Sequence, residues 1–102
     1  MTPTQRSLKH LRELGYRVAI VEKWNPHARI RQDLFGFIDL LAIKENETLA
    51  IQTTSRGNVP ARIRKIKESE AFEEVKKAGW RVRVQGWGKL KSGWCLMEVD
   101  LA

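Results

Sequence analysis

From Gly36 to Ser55 the chain reads GFIDLLAIKENETLAIQTTS, and the fold turns on this stretch. Gly36 to Ile43 and Thr48 to Ser55 are runs of apolar and β-branched residues, and the polar tetrapeptide Lys44-Glu45-Asn46-Glu47 separates them, a pattern that predicts a β-hairpin. With that tetrapeptide as the turn, Ile43 faces Thr48, Leu41 faces Ala50 and Asp39 faces Gln52. Cross-strand partners share a face, and the two-residue strand period adds Thr54 to the face of Gln52. Asp39 stands in the middle of an apolar strand, where a carboxylate loses hydration and needs a hydrogen-bonding partner or a cation. A carboxylate, an amide and a hydroxyl then converge at one end of the hairpin. They are oxygen donors suited to a hard cation such as Mg²⁺ or Mn²⁺, with Asp39 and Gln52 as its ligands. The other reading is that Gln52 and Thr54 satisfy a half-buried Asp39 by hydrogen bonding alone.

Before the hairpin, Thr2-Pro3-Thr4-Gln5 has the form of a capping box with Pro at the first helical position. Leu8, Leu11 and Leu14 give that helix an apolar stripe, and Gly15 ends it. Tyr16 to Trp24 (YRVAIVEKW) predicts a first strand broken by Asn25-Pro26, and a basic, irregular stretch runs from His27 to Asp33. After the hairpin, Val59 to Ala78 reads as helix. Its apolar positions change phase between Ile66 and Ala71, so a break is expected near Ser69, which can cap the second half. Trp80 to Gln85 alternates as a half-buried strand should, and a Gly-rich turn, GWGKLKSG, leads to a last strand from Trp94 to Val99. Trp80 and Trp94 are expected in the core and Trp87 on the exposed turn. The expectation is a single α/β domain over residues 1–102, in the order α-β-β-β-α-β-β, with a mixed central sheet flanked by helices.

The chain has 102 residues, 42% hydrophobic and 30% charged, which is the composition of one folded domain rather than a disordered segment. No apolar run suits a membrane span, the N-terminus lacks the apolar stretch of a signal peptide, and Cys95 has no cysteine to pair with. A cytoplasmic protein is expected. The formal net charge is +7, and all of it lies in the residues up to Lys67, since the rest of the chain is balanced. A localised positive field of this kind points to a polyanion, and nucleic acid is the commonest one. Arg29, Arg31, Arg56, Arg62, Arg64 and Lys67 flank the hairpin in sequence and are the expected phosphate contacts, with Lys65 among them. A solvated basic face is the alternative.

A cation site beside a phosphate-binding surface suggests metal-assisted phosphodiester hydrolysis. Glu22 shares strand parity with Val18 and Ile20 and either joins Asp39 or pairs with Lys23 or Arg17 near the strand end. His27 reads as a base, a ligand or a solvated loop residue, and Asp33 as a cap.

The leading helix ending in Glu13-Leu14-Gly15-Tyr16, the segments Gly36-Phe37-Ile38-Asp39-Leu40-Leu41-Ala42 and Leu49-Ala50-Ile51-Gln52-Thr53-Thr54-Ser55, and the strand opening Gly79-Trp80 together resemble the PD-(D/E)XK nuclease superfamily, most nearly its archaeal-type Holliday junction resolvases. The resemblance implies a restriction-endonuclease-like fold and a Mg²⁺-dependent endodeoxyribonuclease acting on double-stranded or branched DNA as a homodimer. It places Asp39 as the metal-binding aspartate and Gln52 where the family has the Glu or Asp of its (D/E)XK element. Thr54 stands where the catalytic lysine belongs, and Lys65 on the following helix is the candidate to replace it. Gln5 stands where resolvase-like members carry an early acidic residue, and Glu22 restores the thinned acidic cluster. The alternative function is a catalytically impaired nuclease fold that binds DNA, and a third is a protein-interaction module with a basic surface.

Overall fold

The computed structural model describes residues 1–102. Helix α1, Pro3–Glu13, starts as its sequence predicts: Thr2 Oγ1 accepts from the Gln5 amide at 3.2 Å, and Gln5 Oε1 accepts from the Thr2 amide at 3.0 Å. These two bonds satisfy donors that the first turn of a helix leaves unpaired. Five strands form the main sheet: β1 (Arg17–Ile20), β4 (Leu40–Lys44), β5 (Glu47–Ser55), β6 (Arg81–Leu90) and β7 (Gly93–Asp100), hydrogen-bonded in the order β1-β4-β5-β6-β7. All neighbours are antiparallel except β5 and β6, which are parallel and therefore need a crossover. That crossover consists of a 3₁₀ turn, Arg56–Asn58, followed by α2 (Val59–Lys67) and α3 (Ala71–Lys77). The domain is thus α/β, with a mixed sheet between helices, and no helix is long and apolar enough to cross a membrane.

The β4–β5 register is the one the sequence predicts, with Ile43 opposite Thr48 and Leu41 opposite Ala50. Alternation then sorts side chains to two cores. Leu40, Ala42, Leu49 and Ile51 pack with Leu11 under α1. Ala50, Val82 and Val84 pack with Phe37, Ile66, Phe72 and Val75 under α2 and α3. The helix break falls where the apolar phase changes, and Ser69 Oγ accepts from the Ala71 amide at 3.3 Å.

Several sequence expectations need correction. The first strand ends at Ile20, not Trp24: Val21 donates a last rung to the Asp39 carbonyl at 2.8 Å, beyond which the sheet offers no partner. Residues Lys23–Asn25 (β2) instead pair with Ile30–Gln32 (β3) in a separate two-stranded ribbon, so the basic stretch is not irregular throughout. Asn25 Oδ1 closes that ribbon by accepting from the amides of His27 at 3.0 Å and Ala28 at 3.2 Å. β4 begins at Leu40 rather than Gly36, because Phe35 and Gly36 take positive φ values of 53° and 86° in a tight turn joining Leu34 to Ile38.

The Gly-rich segment is strand rather than turn. β6 continues through Gly86 and Gly88 to Leu90, and the reversal falls at Lys91-Ser92. Trp87 is therefore half-buried, its Nε1 donating to Ser7 Oγ at 2.8 Å. Trp94 is 47% exposed, with the Arg6 guanidinium 3.6 Å from its ring centre, whereas Trp80 packs against the α2–α3 core as expected.

The glycines of β6 allow a close approach. A Cβ at Gly86 would overlap Val59 Cγ2 and come within 3.1 Å of Arg56 Cα. Gly86→Ala is therefore expected to cost about 1–3 kcal/mol in urea unfolding. Gly57→Ala, where an added methyl meets nothing within 4 Å, is expected to stay within about 0.5 kcal/mol of the parent.

Candidate metal centre

The parting of β4 and β5 builds this site. β5 continues to Ser55, whereas its partner begins only at Leu40, so Gln52, Thr53 and Thr54 run on past the end of β4. Asp39 sits at the junction, 3% exposed. Its amide donates to the Ile51 carbonyl at 2.9 Å, one residue out of the register that sets Leu40 against Ile51. The Asp39 carboxylate accepts three hydrogen bonds on Oδ2: from Gln52 Nε2 at 2.7 Å, the Thr53 amide at 2.8 Å and Thr53 Oγ1 at 3.2 Å. The Asp39–Gln52 meeting is as the sequence predicts, but the hydroxyl on Oδ2 belongs to Thr53 and not Thr54. Strict two-residue parity fails because the register slips at Asp39. Thr54, 5% exposed, lines the same cleft without bonding to the carboxylate.

Two further carboxylates meet Asp39. Glu22 lies just past β1 and Asp33 just past β3, with side chains 15% and 14% exposed. One oxygen from each of Glu22, Asp33 and Asp39 lies within 4.8 Å of the others. Glu22 Oε1 accepts from Arg31 Nη1 at 3.2 Å and from Thr4 Oγ1 at 3.4 Å, and Thr4 Oγ1 is 2.8 Å from Thr53 Oγ1. Lys65, reaching from α2, places Nζ 3.7 Å from Asp33 Oδ2. The cleft over these groups has a volume of about 540 Å³, contains no hydrophobic side chain, and carries Arg31 and Arg62 on its wall.

Crowding three carboxylates in a partly dry site resists full ionisation. Burial, then a hydrogen bond and charge repulsion from Asp39, push the Asp33 carboxyl up to about 6, against the opposing pull of Lys65. Asp39 is raised too, chiefly by burial, although the bonds from Asp33, the Thr53 amide and Gln52 favour its charged form. A divalent cation resolves the same conflict by supplying positive charge where the carboxylates converge. The donor set fits one. Gln52, 3% exposed, commits its Nε2 to Asp39, while its Oε1 is buried without a partner, a costly state for a carbonyl oxygen. None of the three donors to Asp39 reaches Oδ1. Carboxylate and amide oxygens are what Mg²⁺ or Mn²⁺ takes, and ligand oxygens of an Mg²⁺ octahedron lie about 3 to 4.2 Å apart, inside the 4.8 Å within which the three carboxylate oxygens converge.

The structure brings together Asp39, Gln52, Thr54, Glu22 and Lys65 of the expected residues, with Arg31 and Arg62 beside them. Arg29, on the β2–β3 turn, and Arg64 and Lys67 on α2 are exposed and do not line the cleft, nor does Arg56. His27 is exposed on the ribbon turn, and Gln5 is committed to the capping box. Asp33 is a member of the acidic cluster rather than a cap. Sequence reasoning missed that role together with Thr4 and Thr53; the one available signal was Asp33 as the sole acid between Glu22 and Asp39.

The raised Asp33 gives a direction for pH dependence. Its folded value of about 6 exceeds the ordinary 3.8, so its contribution to stability is fully present below pH 3.8 and is lost as pH rises through about 6. In EDTA, the Tm of Asp33→Asn is expected to exceed that of the parent at pH 7 and to converge on it near pH 4, as read by calorimetry. No family model matches the chain, and no curated protein matches it.

Proposed function

We propose that the chain is a Mg²⁺- or Mn²⁺-dependent DNA endonuclease of the PD-(D/E)XK kind, with the restriction-endonuclease-like arrangement and homodimeric assembly that this resemblance implies. One observation carries the reading: the Glu22, Asp33 and Asp39 oxygens converge within 4.8 Å beside the unpartnered Gln52 carbonyl. The setting supports it. Apart from Pro3, every residue lining the cleft has a polar or charged side chain, the cleft opens beside Arg31, Arg62 and Lys65, and the chain carries a net charge of +7.

Asp39, Glu22, Asp33 and Gln52 hold the cation. When bound, it polarises the phosphate and lowers the pKa of the attacking water. Arg31 and Arg62 seat the flanking phosphates, orienting the strand without reading its sequence. Lys65 provides the positive charge missing at Thr54 and orients the water from the α2 side. Asp33, which holds a proton up to about pH 6 when no cation is bound, is ionised as a ligand, and the attacking water's proton ends on the departing sugar oxygen by way of solvent. Hydrolysis then breaks the bond between phosphorus and the leaving sugar oxygen, and the water oxygen becomes part of the new terminal phosphate.

A second reading keeps DNA binding without cleavage, and Thr54 favours it, since a 5% exposed hydroxyl supplies no charge. Two variants decide between them. Asp39→Asn keeps an acceptor for Thr53 and removes the charge. It is expected to abolish Mg²⁺-dependent cleavage of duplex or four-way-junction DNA while leaving DNA affinity equal or tighter in gel shift. Lys65→Met is expected to lower the cleavage rate by about 10²-fold or more. Cleavage surviving Asp39→Asn would sink the metal assignment, and tight, salt-sensitive binding with no cleavage by the parent would establish the binding-only reading.

A further inference from the structure

Phe35 is in a place that its own chemistry does not explain. It adopts φ 53° and is followed by Gly36 at 86°, two successive positive values of the kind found in a type I′ turn. The first central position of such a turn favours Asn, Asp or Gly, and a bulky residue there is strained. Core burial does not offset the strain, because Phe35 is 54% exposed. Strain retained at an exposed aromatic next to a candidate site points to use.

The ring borders a second cavity, of about 230 Å³, walled by Phe35, Ala71, Val75, Ala78 and Trp80, with Glu74 as its one polar side chain. The Phe35 and Trp80 ring centres are 6.1 Å apart and their planes are inclined by 44°, so the two rings touch and form one bent aromatic wall of the cavity. The volume falls below the roughly 300 Å³ at which sites for whole small molecules begin, and so suits a single ring system. Phe35 follows Asp33 of the acidic cluster by two residues, so their Cα atoms lie within about 7 Å.

Resting on the nuclease reading above, we propose that this cavity receives one unpaired nucleobase of the bound DNA. The base stacks on Phe35 with its edge against Trp80, and its exocyclic amine donates to the Glu74 carboxylate, which takes part in none of the domain's ion pairs. Stacking on an aromatic side chain contributes about 1–3 kcal/mol per base, and an unpaired base is the cheapest to extract from a helix. Cytosine, adenine and guanine carry the required amine; thymine presents carbonyl oxygens in its place. The pocket thus selects DNA with an unpaired, amine-bearing base near the seated phosphate.

The test uses the full chain in Ca²⁺ without Mg²⁺, with duplexes carrying a single unpaired 2-aminopurine, cytosine or thymine, and a fully paired duplex as control. Phe35→Asn creates the favoured Asn-Gly turn, so the fold is retained and Tm stays level or rises. The parent is expected to bind the 2-aminopurine and cytosine duplexes more tightly than the paired one, with a change in 2-aminopurine fluorescence. Phe35→Asn should lose this advantage, a drop of about 5- to 150-fold, while its affinity for paired duplex stays unchanged. Glu74→Gln should narrow the preference for cytosine over thymine. A folded Phe35→Asn with unaltered affinities and fluorescence overturns the pocket alone and leaves the nuclease reading intact. Binding to no DNA at all overturns both. A marked fall in Tm for Phe35→Asn with unaltered DNA binding would show that Phe35 only covers Trp80 and Val75.

Discussion

A carboxylate buried where two β-strands part organises this domain. Asp39 is 3% exposed and is tolerated there because Gln52 and Thr53 supply three donors to one of its oxygens and Asp33 adds a further bond. Those donors exist because β5 outruns β4, leaving its last residues without a strand on that side. The same junction ends β1, whose final rung goes to the Asp39 carbonyl. Where the sheet stops, the chain must turn out, and the residues at the exits, Glu22 and Asp33, are driven onto Asp39. One unfavourable burial thus fixes a strand boundary, a register slip and an acidic cluster together.

Two separate cores hold the junction rigid. Leu40, Ala42, Leu49 and Ile51 lock one face of the central strands under α1, and Ala50, Val82 and Val84 lock the other under α2 and α3. The helices also contribute polar groups, Thr4 from the first turn of α1 and Lys65 from α2. The cleft lies at the carboxyl end of β5, where that strand feeds the crossover to its parallel neighbour β6, and the carboxyl ends of strands are where open α/β sheets bind ligands. Its shape therefore depends on the packing behind it, including the close approach of Val59 to Gly86, the strand partner of Thr54.

Local stability is given up around this site. Gln85, fully buried opposite Thr53 on the adjacent strand, has neither amide atom hydrogen-bonded within the protein, and Gln52 leaves its carbonyl in the same condition. Phe35 is held in a backbone conformation that suits asparagine or glycine. Asp33 is lifted to about 6 by its neighbours. Local choices that oppose the fold concentrate where a protein does its work, and the rest of the chain, from the capping box to the helix break at Ser69, agrees with itself.

Patterns that act over a few residues were legible from the sequence. The hairpin register followed from alternation around Lys44–Glu47, and the α1 start from Thr2, Pro3 and Gln5. The α2–α3 break followed from a phase change, and the Asp39–Gln52 pairing from the register. Each depends on a period of two or 3.6 residues or on a cap, and such signals are local. Tertiary structure alone decided which acids met. Glu22, Asp33 and Asp39 sit on different segments, and their approach depends on where the sheet runs out of partners. It also decided that Thr53 rather than Thr54 bonds Asp39, because a one-residue slip at a strand end overrides parity. Trp87 became a strand residue because the glycines beside it admit Arg56 and Val59. Trp94 stayed at the surface because β7 is an edge strand, and the Arg6 guanidinium lies over its ring. Long-range packing sets where an element ends, and the ends of elements are where this site was built.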